Sequence, residues 1–449
     1  MEPEQSTKIN FSSTSFRKYF KNTSWLFAEK IFRLLLGFFV NVIVIRYLGP
    51  EKFGTISYSL SLVGLFTAIA SLGLESIIAR EIVTAPENKN EILGSVFGLR
   101  IIGGITASIL LTLTLIFSDD NYETKLLIAV IGLSLITQAF IVIEFYFQSQ
   151  VKAKLTSTVQ MTNIIITSIF RLIMIYFHAS LFWFAFSYLL ESLVLAIGFS
   201  ILYSSQGLKL KDWAFNKTRA TSLIKDSWPL IFSGVVIAVY LKVDQILIKK
   251  MMSEEATGLY ASAVRLCEAW YFIPMAVSAS LFPAILSGKN LGEEHYLSRL
   301  QKLYDILAWI AIGIALPVTF LSTDIMRILF GVKFIPAATS LTIYIWAGVP
   351  TFLGVASSQY LIAENYTKMS FYRTLAGMIM NVILNLILIP IYGINGSAIA
   401  TLISYSIATF SIGASRKTFF QLWMMIKAIL FIDLFIFTHK LWQKNSQPK

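Results

Sequence analysis

Long apolar runs constrain this chain more than any other feature of its sequence. A bilayer core about 30 Å thick is crossed by about 20 apolar residues in α-helical conformation. Runs of this length recur along almost the whole chain, with short polar stretches between them. The sequence therefore predicts an all-α integral membrane protein of about twelve transmembrane helices. They lie near residues 24–46, 53–73, 93–117, 125–147, 155–176, 181–203, 228–249, 258–286, 303–321, 336–361, 370–390 and 395–415.

One further apolar stretch, Leu422 to Thr438, is interrupted by Lys427 and Asp433. It fits either a thirteenth span or a helix that lies at the membrane interface, and both remain open. The basic tail after it favours the interfacial helix, because a thirteenth span would place that tail outside the cell.

The composition excludes several classes of protein. Charged residues make up 14% of the chain, whereas a soluble globular chain carries about 25%. The net charge of +12 comes mostly from Lys and Arg between apolar runs, which is typical of a membrane protein and predicts no nucleic-acid partner. One cysteine, Cys267, and three histidines offer neither a disulfide framework nor a metal-binding cluster, so we expect no metal and no cofactor.

The loops also predict the orientation. With a cytoplasmic N-terminus, the inner loops hold about 20 Lys and Arg and the outer loops about 7, and this bias determines topology. The most basic inner loop, Gly207 to Asp226, lies halfway along the chain and is predicted to link two bundles. The N-terminus lacks the features of a cleaved signal peptide, so the first helix is predicted to stay as an anchor. The predicted organisation is an N-terminal six-helix bundle (1–206), a cytoplasmic linker (207–226), a C-terminal six-helix bundle (227–416), and an apolar segment with a basic tail (417–449).

The two halves resemble each other. Ser24-Trp25 opens the first helix and Ser227-Trp228 the seventh, while Gly54 and Gly258 lie in the turns that follow these helices. Six spans separate the copies, so both halves have the same topology and form a parallel repeat. Transporters built from such repeats place the substrate site between the halves and rock one half against the other.

Enzyme chemistry is not predicted. The sequence contains no G-x-x-x-x-G-K-[ST] motif for ATP, no H-E-x-x-H and no C-x-x-C. No outer loop is long enough for the catalytic domain of a membrane polymerase or ligase. The chemistry must therefore lie in ionisable residues inside apolar helices, where each charge costs about 2.5–3.5 kcal/mol.

In the first half, Arg33 is the clearest candidate. It lies about 13 Å into the first helix, and Glu29, four residues earlier, shares its face. A structural ion pair and a cation that lines a substrate cavity are both open. Arg100 in the third helix is a second candidate, while snorkelling explains Arg171 as well as a functional role does. Glu144 and Glu191 lie nearer the inner ends of their helices, where headgroup contacts explain them.

In the second half, Lys242 and Asp244 lie two residues apart in the seventh helix, so they cannot share a face. Arg265 and Glu268, three residues apart in the eighth helix, can do so. Asp244, Glu268 and Glu29 are candidates for ion coupling or ion pairing. Arg33, Arg265, Arg100, Lys242 and Arg171 are candidates for a cationic substrate site.

The sequence resembles a known family. The run Arg46-Tyr-Leu-Gly-Pro-Glu-Lys-Phe-Gly is similar to the R-x-L-G-x-x-x-F/Y-G pattern of Wzx-type polysaccharide flippases. Lys242-Val-Asp-Gln-Ile-Leu-Ile, Thr257-Gly-Leu-Tyr-Ala-Ser-Ala and Phe282-Pro-Ala-Ile resemble their second half, so the likeness covers residues 20 to 415. This family belongs to the superfamily of multidrug/oligosaccharidyl-lipid/polysaccharide exporters, which also contains the lipid II flippase.

The resemblance implies a V-shaped pair of bundles around a cationic cavity that moves undecaprenyl-pyrophosphate-linked glycan to the periplasmic leaflet of the bacterial inner membrane. Phe32-Arg-Leu-Leu-Leu-Gly and Ala263-Val-Arg-Leu resemble motifs of the lipid II flippase, which implies a pyrophosphate-binding role for Arg33 and Arg265. Asn41 departs from that relative, which has an acidic residue nearby. Membrane lipids and other polysaccharide assembly proteins are the remaining expected partners. An ion-coupled antiporter of soluble substrates with the same fold is the alternative function.

Overall fold

The computed structural model describes residues 13–432, and the regular secondary structure in that range is helical. Asp433 and the basic tail that follows it lie outside the described residues. The helices are α1 (Ser13–Ser71), α2 (Glu75–Thr84), α3 (Lys89–Ile116), α4 (Tyr122–Gly132), α5 (Ser134–Thr137), α6 (Val142–Ser149), α7 (Ala153–Tyr176), α8 (Leu181–Ser205), α9 (Lys217–Met251), α10 (Glu254–Glu268), α11 (Phe272–Ser287), α12 (Glu293–Leu329), α13 (Ala338–Tyr344), α14 (Gly348–Ala363), α15 (Thr367–Phe410) and α16 (Phe419–Ile429).

Between residues 13 and 432, ten helical segments are long and apolar enough to cross a membrane. Two of them, Ala28–Ser71 and Thr367–Ala414, contain 44 and 48 residues, more than twice the length that one crossing needs. Each is broken by a glycine with positive φ, Gly49 (φ 73°) and Gly393 (φ 59°), a region of backbone conformation that favours glycine. Counting each as two spans raises the ten segments to the twelve that hydropathy predicts, and confirms the all-α membrane fold.

The last apolar helix of the described range, α16, has 11 residues. A helix of this length is too short to cross the bilayer by itself. The second part of the predicted stretch 422–438 lies outside the described residues.

The chain divides into two compact units. Unit 1 comprises residues 1–44 and 66–232, and unit 2 comprises residues 45–65 and 233–449. The predicted bundle boundaries at 206/207 and 226/227 stay a prediction, since the units are interleaved at the turn after the first helix. In each unit the interior is apolar. Its fully buried side chains include Ile92, Val96, Phe147 and Tyr203 in unit 1, and Leu300, Leu307, Leu353 and Met425 in unit 2.

Residues 45–65, which include the R-x-L-G-x-x-x-F-G motif, pack within unit 2. Arg46 donates from Nη1 to the carbonyl oxygen of Ile328 at 3.3 Å. Tyr58 is buried and lies beneath the ammonium groups of Lys249 and Lys250, at 5.5 and 5.9 Å from its ring centroid, distances at which cations are attracted to an aromatic face.

Gly54 and Gly258, which correspond in the internal repeat, lie against each other. A Cβ atom on Gly54 would stand 2.8 Å from the backbone nitrogen of Gly258, and a Cβ on Gly258 would stand 2.8 Å from the nitrogen of Gly54. The two backbones therefore approach as closely as only glycine allows. This contact is the physical reason for glycine at both positions.

Candidate functional site

In unit 1, Arg33 forms the centre of a polar network that joins three helices. Its Nε lies 3.2 Å from Oε1 of Glu29, four residues earlier on α1, and its Nη1 donates to Oε1 of Gln160 on α7 at 2.8 Å. Gln160 donates in turn to Oε2 of Glu144 on α6 at 3.0 Å, and Gln148 donates to Oε1 of Glu144 at 3.1 Å. The network thus contains two carboxylates and one guanidinium.

The exposure of these groups differs. The Arg33 side chain is 43% exposed, whereas that of Glu29 is 6% exposed. One edge of the guanidinium is therefore fixed by Glu29 and Gln160 while the remainder stays accessible, which an anion-binding group requires. Glu144 is half-buried and accepts from Gln160 and Gln148 inside unit 1, and its contact with headgroups stays a prediction.

Arg100 and Arg171 are more deeply buried than Arg33. Arg171 donates to the hydroxyl of Ser187 at 3.0 Å, pairs with Glu191 at 3.1 Å and lies 4.7 Å over the ring of Tyr188. Its guanidinium is thus engaged within unit 1, with Glu191 as its counterion.

Arg100 is 3% exposed and its Nη2 lies 3.7 Å from Oε1 of Glu75, while its Nε and Nη1 have no hydrogen-bond partner in the described part of the chain. Its role in substrate binding stays a prediction.

In unit 2, Asp244 is buried in a polar cluster. Its Oδ2 accepts from the hydroxyl of Tyr260 at 2.6 Å and its Oδ1 from the backbone nitrogen of Gln245 at 2.9 Å. The Tyr260 hydroxyl also lies 3.2 Å from Oγ1 of Thr401. No Lys or Arg between residues 13 and 432 is within ion-pair distance of Asp244, so its hydrogen-bond partners are neutral.

The cluster continues on α15. Ser397 donates to Oδ1 of Asn385 at 2.6 Å, and Asn385 donates to the carbonyl oxygen of Asn381 at 2.9 Å. All three side chains are buried. The sequence reading missed Tyr260 and these residues, although two asparagines four residues apart in an apolar run were a signal that could have revealed them.

Arg265 and Glu268 lie on α10 but do not pair. Arg265 is exposed and Glu268 is half-buried, and neither side chain has an ion pair or hydrogen bond with another described residue. Lys242 is half-buried and likewise has no such partner in the range 13–432; its Cγ packs near Gly64. A cation at membrane depth without a counterion in the chain needs solvent or a ligand.

Arg373 was not among the predicted residues. It is 7% exposed and donates to the hydroxyls of Ser357 (2.6 Å) and Ser358 (2.5 Å) and to the carbonyl oxygen of Gly354 (3.1 Å). The fold buries Arg373 against α14, where neutral oxygens satisfy the guanidinium.

Comparison with known proteins gives the family of this chain. Residues 19–289, more than half of the 449 residues, match the family described as polysaccharide biosynthesis protein, and residues 229–387 also match the MatE family. The chain is 25% identical over 222 residues to the "Probable low-salt glycan biosynthesis flippase Agl15" of Haloferax volcanii, covering 49% of this chain and 46% of that protein. The match thus spans less than half of that relative.

Two solved structures share the fold. "Lipid II flippase MurJ, inward closed conformation" has a TM-score of 0.68 at 19% identity and covers 92% of each chain. An inward-facing multidrug resistance MATE family transporter has a TM-score of 0.64 at 15% identity, covering 88% of this chain and 94% of that one. This chain is thus a multi-pass membrane protein with the fold of these transporters, and it belongs to the polysaccharide biosynthesis protein family.

Proposed function

We propose that this protein is a flippase for a lipid-linked oligosaccharide whose lipid and sugar are joined by a pyrophosphate. The substrate class is undecaprenyl-pyrophosphate-linked glycan, moved from the cytoplasmic to the periplasmic leaflet of a bacterial inner membrane by alternating access. The N-terminus is cytoplasmic in this proposal, and the protein acts without a catalytic step of its own.

One observation carries the proposal. Arg265 lies inside the apolar segment Glu254–Leu291, is exposed, and lacks a counterion in the part of the chain that the structure describes. Such a cation costs several kcal/mol at membrane depth unless an anion accompanies it. A pyrophosphate supplies that anion, and guanidinium groups bind phosphate oxygens in pairs.

Arg33 supplies the second cation. Its guanidinium is oriented by Glu29 and Gln160 and yet remains 43% exposed, so we infer that it also pairs with phosphate oxygens. Lys242 is a third, more weakly orienting cation, because an ammonium lacks the planar fork of arginine. The names of the relative and of the structural neighbour, which both refer to flippases, support this substrate class.

The experiment measures surface polysaccharide together with membrane protein level in cells that depend on this chain. Arg265→Ala and Arg33→Ala should abolish export while the protein still inserts, and Arg265→Lys should recover part of the activity. If Arg33 is only a structural partner of Glu29, Arg33→Ala lowers the protein level, and Glu29→Gln with Arg33→Gln restores it. Normal export by the double variant Arg33→Ala/Arg265→Ala would contradict the proposal.

A second candidate is an ion-coupled antiporter of soluble substrates. The observation that favours it is Asp244, a buried carboxylate with only neutral hydrogen-bond partners among the described residues, inside the part that matches the MatE family. We assign Asp244 instead to ion coupling of the flippase. Two results together would favour the antiporter: the wild-type chain exports a soluble cationic dye, and cells that lack the chain still export glycan.

A further inference from the structure

The helix α7 is polar on the side that faces the interior of unit 1. Of its nine buried residues, only Ala153 and Ile164 are apolar. Its exposed side carries Ile165, Ile169 and Ile173, as a surface in contact with lipid requires. The buried polar residues, which we call the α7 seam, are Thr156, Ser157, Gln160, Asn163, Thr167, Ser168 and Arg171.

Three members of the α7 seam lack hydrogen-bond partners. Oγ of Ser157, Oδ1 of Asn163 and Oγ of Ser168 are buried and unpaired within the described range, and these residues are 1%, 3% and 3% exposed. A buried polar atom without a partner is destabilising, because it loses its hydrogen bond to water and gains none in the protein. Ser157 and Ser168 lie on one edge of the buried face of α7 and Asn163 on the other edge. Ordered water, which fills buried polar sites in most proteins, best satisfies these atoms.

The seam runs between two ion-pair clusters of unit 1. Gln160 contacts the Glu29–Arg33–Glu144 cluster, and Arg171 contacts Glu191 of α8. Ser157 and Ser168 are eleven residues apart, which is about 16 Å along a helix and about half of the bilayer core. The unpaired atoms therefore lie beside and between the clusters.

Helix α1 follows the seam on its other side. Arg33 of α1 bonds to Gln160 of α7, whose residue number is 127 higher. A Cβ on Gly37 would lie 3.8 Å from Cδ1 of Ile164, and these two residue numbers also differ by 127. The same difference of 127 places Asn41 of α1 beside Ser168 along the axis of α7. Its Nδ2 already donates to the carbonyl oxygen of Gly37 at 2.7 Å, so its amide oxygen remains an acceptor at that level.

We propose that the α7 seam holds a file of ordered water molecules and conducts protons between Glu191 and the Glu29–Arg33–Glu144 cluster. A proton taken from water on the Glu191 side passes along waters and hydroxyls and forms an O–H bond on the carboxylate of Glu144 or Glu29. The proton then leaves this carboxylate by transfer to water on the side of the membrane opposite Glu191.

The charge of the Glu29–Arg33–Glu144 cluster makes this cluster a proton acceptor. With both carboxylates ionised, the cluster of two carboxylates and one guanidinium has a net charge of −1, and one proton makes it neutral. Among the other charged groups on helices packed against α6, Arg100 pairs with Glu75, Arg171 with Glu191, and Glu81 with Arg80 and Arg219. Lys154 on α7 is exposed and lies over the ring of Trp25. Resting on the flippase function, a proton on Glu29 would release Arg33 for a substrate phosphate.

The water file can be tested without any glycan. In the full-length chain with its one cysteine removed (Cys267→Ala), the variants Ser157→Cys and Ser168→Cys are treated with Ag⁺, a thiol-reactive cation small enough for a narrow file. Thiols that remain are counted with a maleimide after denaturation. Thr162→Cys is the matched control, because Thr162 lies on the exposed side of the same helix between the two serines.

We expect Ag⁺ to protect both seam thiols at least about tenfold faster than the lipid-facing control, since a charged ion enters hydrocarbon only at great cost. Protection of both seam thiols no faster than that of Thr162→Cys would overturn the water file. Serine and cysteine differ little in size, and two independent positions guard against misfolding of one variant.

Proton conduction is measured in liposomes that contain the full-length chain and a pH-sensitive dye, with an inside-negative potential set by K⁺ and valinomycin. We expect proton uptake above that of protein-free liposomes. Asn163→Leu should lower this uptake about tenfold, because an apolar side chain breaks the water contacts. Thr162→Val should leave the uptake unchanged. Uptake equal to protein-free liposomes, or unaffected by Asn163→Leu, would overturn the proton role. If the Ag⁺ and proton-uptake results are as expected but the wild-type chain does not support glycan export, the flippase function is refuted and the water file is not.

Discussion

The reciprocal contact of Gly54 and Gly258 gives a prediction whose size can be worked from the structure. A methyl group on Gly54 would lie 2.8 Å from the backbone nitrogen of Gly258 and still nearer to the carbonyl group of Glu254. The nearest contact is 1.7 Å to the carbonyl oxygen of Glu254. Non-bonded heavy atoms prefer about 3.5–4.0 Å, so the two backbones must separate by about 2 Å. Both partners are backbone and cannot rotate away as a side chain would.

The expected cost of Gly54→Ala follows from two opposing effects. Overpacking of this kind costs about 1–3 kcal/mol, and the upper end applies because backbone must move. Alanine favours a helix over glycine by about 1 kcal/mol. The net destabilisation is therefore about 2 kcal/mol, or about 5 °C in Tm for a unit of this size.

The assay is thermal unfolding of the purified full-length protein at one fixed scan rate, because large membrane proteins unfold irreversibly. Gly313→Ala is the control, since a Cβ there meets no atom within 4 Å, and it should not lower Tm. Gly258→Ala should cost about as much as Gly54→Ala, and the double variant less than their sum, because one separation serves both methyl groups. A Tm for Gly54→Ala that equals the control's would refute this reasoning.

Three further predictions concern single residues. Asp244→Asn should abolish ion-driven transport in vesicles, and Tyr260→Phe should weaken it, because the phenol donates to the Asp244 carboxylate at 2.6 Å; full ion-driven transport by Asp244→Asn would refute coupling at this residue. Cysteine labelling from outside intact cells should fail at Lys217→Cys and succeed at Asn121→Cys; the reverse would overturn the predicted orientation. Arg373→Ala should lower the thermal stability by about 1–3 kcal/mol, because Ser357, Ser358 and Gly354 lose a buried donor; an unchanged Tm would show that these bonds contribute nothing.

The membrane fold could be predicted from the sequence because the bilayer imposes it. Backbone groups in hydrocarbon must bond within a helix, so run length alone gave the spans, and Gly49 with Pro50 indicated where the first helix turns. The interleaving of residues 45–65 with unit 2 could not be predicted, because hydropathy reports only on contact with lipid. It depends on Arg46 and Tyr58 finding partners late in the chain.

The charged residues of the candidate site could be identified from the sequence, but their pairings could not. A charge in an apolar run is visible in the sequence, so Arg33, Asp244 and Arg265 were all identified. The pairing of Arg33 with Gln160 spans 127 positions, and no local rule connects such residues. The polar seam of α7 was overlooked for a related reason, since its serines and threonines are uncharged and leave the mean hydropathy of the run high.

The most direct test of the central claim is flipping by the purified protein in liposomes. A fluorescent pyrophosphate-linked oligosaccharide lipid is placed in one leaflet, and its appearance in the other is followed with a membrane-impermeant quencher. The account predicts flipping by the wild-type chain, partial flipping by Arg265→Lys, and loss of flipping in Arg265→Ala and Arg33→Ala. Flipping at the wild-type rate by the double variant Arg33→Ala/Arg265→Ala would contradict it.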